Sequence, residues 1–153
     1  MDLDSNLIDG VIITDKKIYQ DDKGSILHML RSDSDNFKEF GEIYFSEVNY
    51  NVIKGWKKHN LISQNFVVPH GKLKLVIYDG RPGSSTSNQF MEIIIGRDNY
   101  KMVTIPTQVW YSFKGLSKSP ALIANLISSP HDPSESQSLE IHSKEIPYIW
   151  KHK

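Results

Sequence analysis

Apolar and polar residues alternate one for one along much of this chain, the period of a strand with one face in a core. Leu73, Leu75 and Ile77 run on to Asp79; Val109 and Phe113 flank Tyr111; Ile123 and Ile127 flank Asn125. Short β-rich runs of this kind recur about every ten residues with turn residues between them, and no heptad or sustained helical period appears. The pattern predicts strands at Val11–Thr14, Ser25–Arg31, Gly41–Asn49, Val52–His59, Gln64–Pro69, Lys72–Asp79, Gln89–Ile95, Tyr100–Ile105, Val109–Lys114 and Ala121–Ile127. Turns are expected at Asp21–Gly24, Pro69–Gly71, Gly80–Ser85, Arg97–Asn99 and Gly115–Ser117, and a loop at Ser128–Glu135. Asp33–Phe40 suits one short helical turn.

Ten short strands must hide their edges, which points to an all-β, cupin-type jelly roll, a single domain over residues 1–153. Each inward-facing row then carries one polar residue among apolar ones: Asp79, Tyr111 and Asn125. In Val52–His59, strict alternation places Lys57 and His59 on the face of Ile53. Titratable groups inside a barrel are costly unless they do chemistry. Together these residues outline a small polar pocket in an apolar barrel. Lys72 and Lys74 fall on the opposite, outward parity.

Composition narrows the classes of function. The chain has 153 residues, 18 basic and 18 acidic, and a pI near 7.0, so no global field recruits nucleic acid. An anionic ligand has to be met by a local cluster. The absence of cysteine removes thiol nucleophiles, disulfides and thiolate metal sites. No apolar run is long enough to span a bilayer, and the Met1–Asp4 start lacks a basic region followed by an apolar one, so a cytoplasmic location is expected. A cupin metal site needs a His-x-His pair, a further His and a carboxylate; Lys57 stands where the first His belongs, and His131 and His142 lie in loops, so neither metal nor cofactor is expected. His28, His70 and His152 are read as surface, and Trp56, Trp110 and Trp150 as core or dimer-interface anchors.

From Gly10 to about Trp150 the chain resembles the dTDP-4-dehydrorhamnose 3,5-epimerase family of sugar-nucleotide enzymes. The matching pieces are Asp22-Lys23-Gly24-Ser25, Val52-Ile53-Lys54-Gly55-Trp56, Gly71 with Asp79-x-Arg81 and Ser84-Ser85-Thr86, Ile105-Pro106 through Val109-Trp110-Tyr111-x-Phe113, and Glu145-Ile146-x-x-x-Trp150. Their order and spacing together are specific. The resemblance implies a homodimeric cupin-type jelly roll that epimerises a nucleotide-linked 4-keto-6-deoxy sugar. The departures fall on catalytic positions. Lys57 occupies the place of the family's base His, with His59 two residues on. The orienting Asp belongs near His142-Ser143, where no carboxylate stands. Asn125 replaces the family's proton-donating Tyr, and Tyr111 its second His; Asp79 is retained.

Epimerisation beside a ketone needs a base, an electrostatic clamp for the enolate and an acid. His59, whose ordinary pKa is about 6.5, is the first choice of base. Lys57 can take that role only if it sheds its proton, which burial and the like charges of Lys54 and Lys58 favour; otherwise its ammonium steadies the enolate. Tyr111 supplies the acid, with Asp79 and Asn125 completing the catalytic set. Lys23, Lys54 and Arg81 are the candidate clamps on two phosphates of a nucleotide diphosphate sugar, with Gln64 as a further substrate contact. Two readings stand: an epimerase, or a related ketoisomerase, of cell-surface polysaccharide synthesis, and a non-catalytic cupin that binds a nucleotide sugar or a partner enzyme after losing the His–Asp pair.

Overall fold

Alternation builds two five-stranded antiparallel sheets packed face to face, seen in a computed structural model that describes residues 7–151. Twelve strands form among the described residues: β1 (Ile12–Asp15), β2 (Ile18–Asp21), β3 (Gly24–Leu27), β4 (Glu42–Val48), β5 (Ile53–His59), β6 (Gln64–His70), β7 (Lys72–Tyr78), β8 (Phe90–Gly96), β9 (Lys101–Ile105), β10 (Trp110–Gly115), β11 (Ala121–Ile127) and β12 (Ser136–Leu139). The first sheet runs β1-β9-β6-β11-β4 and the second β12-β5-β10-β7-β8, while β2 and β3 form a separate hairpin. Neighbours in sequence mostly lie in different sheets, as in a jelly roll.

The rows read from alternation meet between the sheets. Leu73, Leu75, Ile77, Val109, Tyr111, Phe113 and Ile123 share one buried cluster with Phe66 and Val68 from β6. The opposite parity serves two satellites. Trp56, Val76, Tyr78 and Trp110 pack outside the second sheet under Ile146 and Trp150 of the C-terminal segment. All three tryptophans are thus core anchors of this chain. Outside the first sheet, Ile18 and Leu27 of the hairpin pack on Val67, Met102 and Ala124. Lys74 does face outward, but it is half-covered: it pairs with Glu92 at 2.6 Å and lies 5.5 Å from the centre of the Trp150 ring.

Three local expectations are corrected. The strand expected over Ser25–Arg31 stops at Leu27 and pairs with Ile18–Asp21, a strand too short and polar to register in the pattern. Asp33–Phe40 makes successive turns instead of a helical one, since the Arg31 guanidinium holds the Asp33 carboxylate across the bend (2.7 and 2.8 Å). Ser136–Leu139, beyond the last strand the pattern predicts, is the edge strand beside β5. The tight β6–β7 connection needs Gly71, whose φ is +79° and where a Cβ would sit 2.8 Å from the Ala121 Cα. His152 lies outside the described residues; His28 and His70 are exposed.

Candidate active site

A β-bulge decides which side chains of β5 enter the barrel. Tyr111 lies opposite Lys57 and Phe113 opposite Lys54, so three steps along β5 match two along β10. Gly55 permits this: a Cβ there would press within 3.2 Å of both the Leu139 carbonyl and the Ile141 side chain. The extra residue flips the parity. Ile53 goes outward to the Trp56 cluster, while Lys54 joins Lys57 and His59 on the inner face, its ammonium 6.0 Å from the Phe113 ring centre and 2.9 Å from Ser46 Oγ. The expectation that Ile53 shares the face of Lys57 and His59 is therefore corrected. Lys57 and His59 do face inward, with Lys57 partly buried and without an ion-pair partner among the described residues.

His59 is 2% exposed, and its Nδ1 meets the Glu135 carboxylate in a very short hydrogen bond. The second Glu135 oxygen accepts from the Asn60 N–H at 3.1 Å and the Leu61 N–H at 3.0 Å. Burial pulls the Glu135 pKa up, but His59 and these backbone donors outweigh it and hold the carboxyl below its ordinary range. For His59 burial wins over the opposing pull of Glu135, so the imidazole is neutral at lower pH than usual. A neutral ring that donates Nδ1–H to a carboxylate keeps its lone pair on Nε2. That Nε2 is buried and has no partner among the described residues. The arrangement leaves one ring nitrogen able to accept a proton, with a carboxylate held against the other.

Glu135 is a residue that the sequence reading missed, because the orienting carboxylate was sought near Ser143. The legible signal was Asp132-Pro133-Ser134-Glu135, the spacing of a cap followed by an initiating proline and an acid in the first turn. These residues form a 3-10 turn, Pro133–Glu135, in which Asp132 Oδ1 accepts the Ser134 N–H at 3.0 Å. The chain then enters β12, where Ser136 pairs with His59.

Opposite His59, Gln64, Asn125 and Tyr44 of the first sheet form a chain of hydrogen bonds that Tyr111 joins from the second. Tyr111 donates its hydroxyl to Gln64 Oε1 (3.1 Å), which also accepts from Asn125 Nδ2 (2.8 Å); the same Nδ2 reaches Tyr44 Oη at 3.0 Å. Asn125 Oδ1 remains buried without a partner. Gln64, 1% exposed, is the hub of this frame, not an outlying substrate contact. Tyr111 stacks parallel to His59, ring centres 6.4 Å apart, and burial pushes its hydroxyl well above the ordinary phenol range. Tyr111, expected as the acid, donates its hydroxyl to Gln64 here and takes part in the frame of the site. Tyr44 was also missed, since on β4 the alternation is inverted: Ile43 and Phe45 are exposed while Tyr44 and Ser46 point inward beside Asn125 and Ile123.

The remaining expected residues are not gathered here. Asp79 is fully buried and saturated: it accepts from the Arg81 guanidinium (2.8 and 2.9 Å), the Arg81 N–H (3.0 Å), Ser84 Oγ (2.6 Å) and Thr86 Oγ1 (2.7 Å). Burial opposes its charge, but these donors hold its carboxyl far below the ordinary range. Arg81 also donates to the Asp9 carbonyl. Both are a latch closing the 79–86 loop, which corrects Asp79 as a catalytic group and Arg81 as a free clamp. Lys23 is at the exposed tip of the β2–β3 hairpin, outside the first sheet, so one chain brings only Lys54 of the three expected cations to the inner face of β5, where it stays exposed at the rim.

The fold is an antiparallel jelly roll of the cupin type, with a buried His–carboxylate pair and two lysines on the inner face of the same strand. The chain belongs to the dTDP-4-dehydrorhamnose 3,5-epimerase family, whose model matches residues 5–153. It is similar to the solved dTDP sugar isomerase of Desulfovibrio desulfuricans, with 42% identity, a TM-score of 0.91, and coverage of 94% of this chain and 92% of that one. A probable low-salt glycan biosynthesis epimerase of Haloferax volcanii is 30% identical over 82% of this chain and 81% of its own. A spore coat polysaccharide biosynthesis protein of Bacillus subtilis is 26% identical over 88% and 89%. The fold is shared with the Legionella pneumophila epimerase solved with dTDP-4-keto-L-rhamnose, at 22% identity and a TM-score of 0.83 over 97% of this chain and 82% of that one.

Proposed function

We propose that the protein is a nucleotide-sugar epimerase of polysaccharide biosynthesis that removes the proton beside the ketone of an NDP-4-keto-6-deoxy sugar. The observation that carries this reading is the His59–Glu135 pair with an unpartnered Nε2 inside the barrel. His59 Nε2 takes the acidic α-proton, and Glu135 stabilises the imidazolium that forms. The Lys57 ammonium, on the same inner face, steadies the enolate oxygen. Lys54 binds the diphosphate further along the strand, as a point charge without the bidentate geometry of an arginine. Family membership and the probable glycan biosynthesis epimerase among the relatives support the same reaction class, and the spore coat polysaccharide biosynthesis protein supports the setting.

The non-catalytic reading rested on a missing His–carboxylate pair, and Glu135 supplies one. A homodimer is part of the proposal, supported by Phe40, Ile43 and Phe45, large apolar side chains exposed on or beside the edge strand β4. With no cysteine to need an oxidising compartment, a cytoplasmic location is proposed as well. The test offers dTDP-, CDP-, GDP- and UDP-linked 4-keto-6-deoxy sugars in deuterium oxide. Label beside the ketone of at least one is expected, and protein that binds such a sugar yet labels none is a binding module instead.

A further inference from the structure

Inversion at a ring carbon needs a proton taken from one face and returned to the other, so acid and base must approach from opposite sides. The base pair sits on the second sheet: His59 on β5, with Glu135 in the turn that leads into β12. Tyr111 belongs to that same sheet and stacks parallel to the His59 ring, so it shares the base's side. Tyr44 comes from β4, the edge strand of the facing sheet, and turns inward beside Asn125. Ser46 Oγ, two residues along β4, meets Lys54 Nζ at 2.9 Å, which ties the inner face of β4 to that of β5.

We infer that Tyr44 is the catalytic acid of this site, delivering its phenolic proton to the face of the enolate opposite His59. This rests on the proposed epimerase reaction. Three observations carry it. Tyr44 Oη accepts a hydrogen bond from Asn125 Nδ2 but donates none among the described residues, unlike Tyr111, whose hydroxyl donates to Gln64. The side chain is half-buried, open to a ligand entering between the sheets. Burial, with Glu42 and Glu135 nearby and Asn125 opposing, raises its pKa and keeps it protonated at neutral pH. Asn125 therefore orients the phenol across the cleft, where the resemblance had put a tyrosine at position 125 itself.

The protons balance. His59 gains the one lost from carbon, carbon gains the one lost from Tyr44, and both side chains reset by exchange with water. One turnover releases one proton to solvent from the imidazolium and takes one up at the tyrosinate.

Tyr44→Phe separates the two half-reactions. Incubated in deuterium oxide with dTDP-4-keto-6-deoxyglucose or dTDP-4-keto-L-rhamnose, the variant should still exchange label beside the ketone within about tenfold of the wild-type rate, while formation of the inverted sugar falls at least about 10²-fold. Replacing Tyr44 with 3-fluorotyrosine, which acidifies the phenol and keeps its shape, should move the alkaline limb of the inversion rate to lower pH. The inference is overturned if Tyr44→Phe inverts at the wild-type rate. It is equally overturned if exchange and inversion fall together, which is the mark of a binding or structural role, or if the fluorinated protein's alkaline limb does not move. If wild-type protein labels no nucleotide sugar, the epimerase reading falls and this assignment with it; exchange by wild type with unaffected inversion in Tyr44→Phe removes only the assignment.

Discussion

Glu135 holds His59 through one carboxylate oxygen while its other oxygen takes the N–H groups of Asn60 and Leu61, the two residues that follow the histidine. The carboxylate is thereby fixed to the backbone of the residue pair it orients against, so the ring has one favoured tautomer and one open nitrogen. Glu135→Gln keeps the shape but presents an amide that can turn its NH₂ to the ring and favour the wrong tautomer. Hydrogen–deuterium exchange into the sugar should fall by up to about 10⁴-fold, with far smaller change in substrate affinity by calorimetry.

His59→Asn should lower the exchange rate by about 10²–10⁴-fold, the contribution of a general base. Lys57→Met should slow exchange without abolishing it. Single-turnover labelling of both variants checks the order; exchange lost in Lys57→Met and intact in His59→Asn assigns the base to the lysine.

Burial lowers the pKa of His59 against the opposing pull of Glu135. A base must be unprotonated in the free enzyme, so the acid limb of kcat/KM should lie below the ordinary histidine value of about 6.5. The same shift has a sign in stability. The folded state binds fewer protons than the unfolded one, so stability is full above about pH 6.5 and is lost as pH falls toward the folded-state pKa of His59. Glu135, also lowered, adds loss in the same direction below about pH 4.5. Urea denaturation midpoints across this range should drop in wild type and drop less in His59→Asn.

Asp79 is fully buried beneath Arg81, Ser84 and Thr86, and its loss strands several donors at once. Asp79→Asn should cost about 3–5 kcal/mol, the range for breaking a buried ion pair, read as a lower urea midpoint at unchanged slope. Its folded-state pKa is depressed, so the Asp79 contribution is present above the unfolded value of about 3.9 and lost below it. The difference between wild type and variant should shrink in strong acid.

The apolar side chains Ile43 and Phe45 on the outer face of β4 should be covered by a second copy. Light scattering at micromolar concentration is expected to give twice the chain mass, and a mass near 17.6 kDa excludes the dimer. Phe45→Glu should shift the equilibrium toward monomer, since a charge at such a face is buried unpaired.

Alternation by itself determined the strands and their faces wherever one face is apolar and the other polar: Leu73-Leu75-Ile77, Val109-Tyr111-Phe113 and the row through Asn125 all point where their period says. A period-2 pattern needs nothing beyond neighbours in sequence. It failed where the backbone leaves that period or the polarity is reversed. The bulge at Gly55 exchanges Ile53 for Lys54 on the inner face, and it is set by the close approach of Leu139 and Ile141 from the far end of the chain. On β4 the apolar residues Ile43 and Phe45 face outward, so the alternation did not single out Tyr44 and Ser46. The pairing of His59 with Glu135 spans 76 positions, and no local rule measures such a distance. Sequence alone named the histidine and the lysines; that Glu135 meets the histidine, and that Tyr44 turns inward from the facing sheet, was decided by the packing of two sheets.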